Sequence, residues 1–246
     1  MRADEHAEEG PYTRGMDPRP ALSHSRLFHD MAASERDAIL AAGVHRSLRK
    51  GDALIRQGEP AVEFFLIDRG YLKLTQLTRE GIEVIVRFVG PWDPVAGVTA
   101  VGEGVYPVTA AACDAADVLA WPRATLIDLL RRFPQLKTNI LREMTAHMDD
   151  ALTRLRELAT LDVRQRLAHT LLRLTQPASS GDSGGALAVP HALTRQELAE
   201  LTGTTLFTVS RILTGWEAEG LVRSGRAHIE VTDPSGLRRA AEGGAE

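Results

Sequence analysis

From Gln135 to Ala159 the chain runs without a single glycine or proline. A helix of about 25 residues at ~1.5 Å per residue is a rod of about 37 Å, as long as a small domain is wide. Such a helix either crosses between two parts of the molecule or pairs with another copy of itself. Its apolar positions Ile140, Met144, His147, Ala151, Leu155 and Leu158 step by threes and fours, close to a heptad seam. The spacing predicts a dimer across that seam; the alternative is a helix packed only on its own domain.

The texture before this helix is β. VHRSLRK, ALIRQ, VEFFLIDR, YLKLTQLT and IEVIVRFV are punctuated by Gly51, Gly58, Gly70, Gly81 and Gly90, and the run continues through GVYPVTAAA and ADVLAWP until Pro122 closes it. Short strands at this spacing predict a small antiparallel barrel or sandwich. SERDAILAA ahead of it predicts a short helix with Ser34 as N-cap and Gly43 as stop, and ATLIDLLRRF a helix ended by Pro134. After the long rod a helix over Asp162 to Gln176 is expected, then PASSGDSGG as a flexible loop. The organisation that results is a flexible extension over 1–21, a sensing domain over 22–133, a dimerisation helix over 134–160 and a further domain over 161–246.

With 43% hydrophobic and 25% charged residues the chain can bury real cores, and no window reaches the roughly 18 apolar residues of a membrane span. Its one cysteine, Cys113, cannot close an internal disulfide or hold an iron–sulfur cluster alone. A reducing, cytoplasmic setting without membrane attachment is expected. Cys113 is either buried and inert or, with a stabilised thiolate, a redox sensor.

The segment TRQELAELTGTTLFTVSRILTGWEAEG, Thr194 to Gly220, carries the chemistry. Thr194 and Glu197 form a capping box that starts a helix stopped at Gly203, and Thr204 or Thr205 caps the next. That second helix buries Val209, Ile212, Leu213 and Trp216 and exposes Phe207, Thr208, Ser210 and Arg211 early. Two short helices about a glycine turn read as a helix-turn-helix, and Leu221 to Arg223 with Ala227 to Val231 supply a two-stranded wing. In the major groove Arg211 matches guanine O6 and N7, Ser210 and Thr208 match a base edge or a phosphate, and Phe207 matches a thymine methyl. Thr194, Arg195 and the turn at Thr204 and Thr205 are placed for phosphates. From 159 to 246 there are nine arginines, no lysine and ten acidic residues. A net charge of about minus one predicts weak non-specific binding and reliance on local arginines: Arg195, Arg211, Arg223 and Arg226.

In the order of these parts the chain resembles the Crp/Fnr superfamily of transcription regulators over roughly Leu27 to Ala240. The resemblance is carried by Gly51, Leu54 and Gly58, by FFLIDRG at Phe64 to Gly70, and by the helix-turn-helix. It implies an α+β architecture: an N-terminal cyclic-nucleotide-binding-like β-roll, a long dimerisation helix and a C-terminal winged helix-turn-helix. It also implies a homodimer on palindromic double-stranded DNA, RNA polymerase as a partner, and a small effector. The effector is not cyclic AMP by this comparison, because Gly97 stands where the family's ribose-binding glutamate would be. Pro107 and Val108 replace the Arg-Ser pair, and Ala151 and Leu152 replace the adenine-contacting pair. The N-terminal cysteines of the iron–sulfur members are missing as well.

The cassette FVGPWDPVAGVTAVGEGVYPVTAAA and the segment GTTLFTVSRILTGWEAEGLV are similar to the nitric-oxide-responsive denitrification regulators and related haem sensors, with Phe207 departing from the glutamate common in the superfamily. A haem needs an axial ligand. His147, on the helix face toward the expected effector pocket of Gly97, Tyr106, Val108, His147 and Ala151, is the first candidate; His24 and His29 follow. An ordinary packed histidine is the competing account. Rival functions are an effector-independent or cyclic-nucleotide-binding regulator, a β-roll interaction module with a vestigial DNA-binding domain, and a cupin-type enzyme. The last lacks ligands, since only His45 lies between Val44 and Trp121.

Overall fold

The computed structural model describes residues 25–96, 102, 104–177, 187–225 and 227–243. The expected N-terminal extension, His24, Gly97, the core of the loop over 178–185 and Arg226 lie outside them.

Strand β3 (Glu63–Arg69) shows why the N-terminal part folds as it does. Alternate side chains of a strand point to opposite faces, and here both faces are buried. Phe64 and Leu66 enter one core with Leu27, Phe28, Ile39, Trp121 and Leu126, while Phe65 and Ile67 enter a second with Leu72, Val89 and Val118. A four-residue apolar run is what such a strand needs. The second core fills the space between two antiparallel sheets. In one, β1 (Val44–Leu48), β8 (Ala116–Pro122), β3 and β6 (Pro94–Val95) are neighbours in that order. In the other, β2 (Ala53–Ile55), β7 (Thr109–Ala112), β4 (Leu72–Leu77) and β5 (Glu83–Val89) are. Gly70 turns β3 into β4 at φ +79°, and a Cβ there would meet the Ala115 carbonyl oxygen at 2.6 Å, so both conformation and space require glycine.

The first core is roofed by helices. Helix α1 (Ala33–Ala41) is capped two residues before the expected position: Ala32 is the N-cap, Ser34 lies inside the first turn, and the Glu35 carboxylate accepts from the Ala32 amide at 2.9 Å. The Trp121 indole donates to the Ile39 carbonyl at 2.8 Å. Helix α2 (Arg123–Arg132) leads into the long helix α3 (Pro134–Thr160), which starts with proline at its first position. Buried Asn139 donates to the carbonyls of Leu27 and His29 at 2.9 and 2.8 Å, pinning the N-terminal turn to α3.

Beyond α3 come α4 (Val163–Leu174), α5 (Arg195–Thr202), α6 (Leu206–Ala218), β11 (Val222–Gly225), β12 (His228–Val231) and α7 (Pro234–Ala241) around a core of Leu167, Leu171, Leu198, Val209, Leu213 and Trp216. Short strands β9 (Gln176–Pro177) and β10 (Leu187–Ala188) widen the wing to the four-stranded order β11-β12-β10-β9. The sequence reading carries the helix through Gln176, whereas α4 ends at Leu174 and Gln176 opens β9; it assigns nothing to Leu187–Ala188 and misses α7, although Asp233 followed by Pro234 is a helix start: the Asp233 carboxylate accepts from the Ser235 and Gly236 amides. Among the described residues no helix is long and apolar enough to cross a membrane.

Candidate DNA-reading surface and effector cavity

The helix-turn-helix is built by its caps. Thr194 Oγ1 accepts from the Glu197 amide at 3.1 Å, and the Glu197 carboxylate accepts from the Thr194 amide at 2.9 Å. Gly203 ends α5 in the left-handed conformation, φ +62°. Thr205, not Thr204, is the cap of α6. Its hydroxyl accepts from the Thr208 amide at 3.2 Å and lies 3.0 Å from the Thr208 hydroxyl. The Thr208 hydroxyl thus takes part in the cap while keeping further hydrogen-bonding capacity. Thr204 donates its amide to the Ala199 carbonyl and forms the turn.

Val209, Leu213 and Trp216 lock one side of α6 into the core, and Ile212 packs against it. The opposite side carries Phe207, 77% exposed, and Arg211, also exposed. Arg211 has no hydrogen-bond or ion-pair partner among the described residues, and Ser210 is half-buried one step away. Arg195 donates to Ser224 Oγ at 2.8 Å, and Ser224 bonds Glu217 through its amide and hydroxyl at 2.9 and 2.5 Å. That chain ties the first turn of α5 to the wing and to the end of α6. Arg223, 74% exposed at its side chain, pairs across the wing with Glu230 at 3.0 Å.

A cavity of about 340 Å³ opens between the roll and α3. Ile55, Leu74, Val86, Val89, Val95 and Val108 make its walls apolar, Tyr106 and Pro107 join them, and Arg87, Glu143 and His147 are its ionisable residues. An engineered cavity of about 150 Å³ takes benzene, so the space suits a ligand of roughly a dozen heavy atoms. Tyr106 offers its ring only, because its hydroxyl is held by the Glu63 backbone at 3.2 Å. Burial, with Arg87 beside it, pushes the His147 imidazole below its ordinary pKa. A polar cleft of about 490 Å³ adjoins, sharing Arg87, Glu143 and His147 and adding Arg26, Asp93, Asp150 and Arg154.

Residues 45–133 match the cyclic nucleotide-binding domain, and residues 165–240 match the Crp-like helix-turn-helix domain. The chain is 30% identical to the transcriptional activator protein FnrA of Stutzerimonas stutzeri over 199 residues, 80% of each chain. The chain belongs to the Crp/Fnr family of DNA-binding transcription regulators. It is also 29% identical over 222 residues to the cyclic AMP receptor protein of Thermus thermophilus, covering 90% of this chain and 99% of that one. Among solved structures, FixK2 from Bradyrhizobium japonicum has the same fold at TM-score 0.70 and 21% identity, covering 80% of this chain and 96% of that one. The catabolite activator protein of Thermus thermophilus aligns at TM-score 0.51 and 28% identity, with 90% and 100% covered.

Against this Crp/Fnr frame several sequence expectations move. Ile140 and His147 do not sit on an outward seam: Ile140 is 7% exposed in the roll-side core and His147 faces the two cavities. The outward stripe is Leu141, Met144, Met148, Ala151, Leu155 and Leu158, a 3-4-3-4-3 spacing turned by one residue from the expected one at its start. Ala151 is exposed and is not among the cavity walls. His29 lies on the surface, its Nδ1 2.9 Å from Asp30, apart from either cavity. Cys113 is half-buried, and burial, with Glu197 nearby, pushes its thiol up to about 12, the opposite of a poised thiolate.

Sequence reading missed Arg87 and Glu143, although a lone arginine in IEVIVRFV was a signal. It also missed the seam between the two halves. There His191 is buried against the rings of Tyr71 and Phe88, with centroids at 5.0 and 4.3 Å. Lys73 on β4 pairs with Glu197 on α5 at 3.2 Å, and Arg154 donates to the Val86 carbonyl.

Proposed function

We propose that the chain works in the cytoplasm as a homodimer on a two-fold symmetric DNA site, under control of a small effector in the apolar cavity, with RNA polymerase as its downstream partner. The observation that carries the DNA reading is α6: one side is sealed into the core, and the other presents Phe207 and an unpaired Arg211. A guanidinium free of internal partners is available to guanine, whereas a paired one must first break its bond. Homodimerisation is supported by the outward stripe on α3, where Met148, Leu155 and Leu158 are 64, 64 and 52% exposed. Apolar surface of that kind at heptad spacing asks for a second helix. No catalytic role is assigned to any residue. Selection of binding sites from random duplexes, followed by mobility shift, tests the reading: a palindromic consensus with salt-resistant preference is expected, and sequence-indifferent binding overturns it.

The cavity does not suit a cyclic phosphate. Among the described walls Arg87 is the one arginine or lysine and sits among aliphatic side chains, and Pro107 and Val108 line the cavity where the resembling cyclic-AMP members carry charge partners. A second reading, haem with nitric oxide as the signal, is favoured by His147, an imidazole between cavity and cleft whose protonated form burial disfavours. The apolar cavity alone is too small for a porphyrin, which would have to extend into the adjoining cleft. An absorption spectrum of the reconstituted protein decides it. A stoichiometric Soret band lost in His147→Ala supports the reading, and non-saturable uptake removes it.

A further inference from the structure

Arg87 stands out among the buried charges. Its side chain is 18% exposed, and its nearest carboxylate is Asp93 at 3.8 Å, beyond hydrogen-bond distance. That Asp93 oxygen already accepts from the Gly90 amide at 2.9 Å. Among the described residues the Arg87 guanidinium makes no hydrogen bond, yet its nitrogens are not sealed: it borders both the apolar cavity and the cleft. A guanidinium carries five donors in a planar fork, and in a largely buried one held only loosely beside Asp93, donors left without hydrogen-bond acceptors among the described residues are costly. Such a group is matched by one bidentate carboxylate.

The surroundings define the rest of the ligand. Glu143 and His147 face the same space from α3; Asp150 and Arg26 lie on the cleft side. Burial pushes Glu143 up and Arg87 and His147 down, so each ionised form is penalised by the apolar walls. Beyond Arg87 the cavity offers Ile55, Leu74, Val86, Val89, Val95 and Met144, surface that rewards an aliphatic or aromatic body and nothing more polar.

We infer that this cavity binds a small apolar acid, its carboxylate held by Arg87 and its body of roughly a dozen heavy atoms packed between the roll and α3. The inference rests on reading the cavity as the effector site. Medium-chain fatty acids and aryl-alkanoic acids share this chemistry, and decanoate and 3-phenylpropionate separate them as probes. 1-Decanol supplies the body without the charge, and inorganic phosphate the charge without the body.

Isothermal titration of the purified full-length protein, without DNA, gives the test. One saturable site per chain is expected for one or both acids, about tenfold or more weaker for 1-decanol, and none for phosphate. Arg87→Met is expected to bring the acid down to the alcohol's level and leave the alcohol unchanged. Val108→Phe, which fills the cavity and keeps Arg87, is expected to abolish both. Absence of saturable binding by either acid, equal binding of 1-decanol, or an Arg87→Met protein that holds the acid as well as wild type each overturns the proposal. The regulator reading fails separately: a protein that takes the acid but shows the same operator affinity with and without it keeps the carboxylate seat and loses the effector role.

Discussion

In the proposed reading of DNA, Arg211 and its neighbours differ in how much freedom each side chain retains. Thr208 shares its hydroxyl with the Thr205 cap and Arg195 engages one guanidinium nitrogen with Ser224, whereas Arg211 makes no bond among the described residues. Arg211→Ala is therefore expected to cost about 1–3 kcal/mol on the selected site and little on random duplex, measured by mobility shift at fixed salt. Equal losses on both would make Arg211 a phosphate contact. Thr194→Ala removes the acceptor for the Glu197 amide and one side of the capping box, and is expected to lower stability by about 1 kcal/mol in urea unfolding. Both residues were legible in the sequence because caps and helix faces follow from local spacing. Thr208 was read as exposed chemistry, and its bond to Thr205 depends on a rotamer that spacing does not carry.

Strand β5 is where two functions meet in one element. Val86, Arg87 and Val89 line the cavity, while the Phe88 ring packs on His191 and the C-terminal core. A ligand that shifts β5 therefore presses directly on the part that carries the helix-turn-helix, a route beside the long helix. His191 is 8% exposed with neither ring nitrogen bonded, and burial pushes its pKa from the ordinary 6.5 down to about 4. The unfolded chain takes up that proton first, so the contribution of His191 is intact above about pH 6.5 and is lost as pH falls toward 4. Glu197 acts in the same direction. Burial raises it, but the Thr194 and Lys73 hydrogen bonds outweigh this and hold it below its usual value, so its stabilisation is also lost on acidification. Between pH 7 and pH 5 the His191 share is about 2 kcal/mol. His191→Phe is expected to remove that share of the pH dependence of urea unfolding while the neighbouring rings stay packed; an unchanged pH slope would show that the seam does not carry it. None of this was legible in the sequence. Strand periods predict which side chains share a face, but not that Phe88 and His191, a hundred residues apart, meet there.

On the scale of the whole molecule the long helix carries the proposed dimer seam, and the order of parts, β-roll, rod and winged helix, was legible because each has its own period and its own punctuation. The rotation of the rod was not. Ile140 and His147 and Leu141 and Met148 are equally apolar or equally spaced choices, and only the roll packed against α3 assigns the first pair inward and the second outward. With Leu141, Met148 and Leu155 outward at seven-residue steps, a parallel pair of rods would place the two copies of α6 for half-sites about one helical turn apart. Two recognition helices joined this way would bind as one bivalent unit, a linkage worth a factor of about 10²–10⁴ over a single half-site. Met148→Glu combined with Leu155→Glu puts two like charges per chain into the seam without touching the roll, the cavity or α6. Sedimentation should then give a monomer, with affinity for the palindrome falling by at least about 100-fold toward that for an isolated half-site. A doubly substituted protein that stays dimeric would move the interface off this stripe. One that becomes monomeric yet keeps its affinity would mean that a single winged helix reads the whole site.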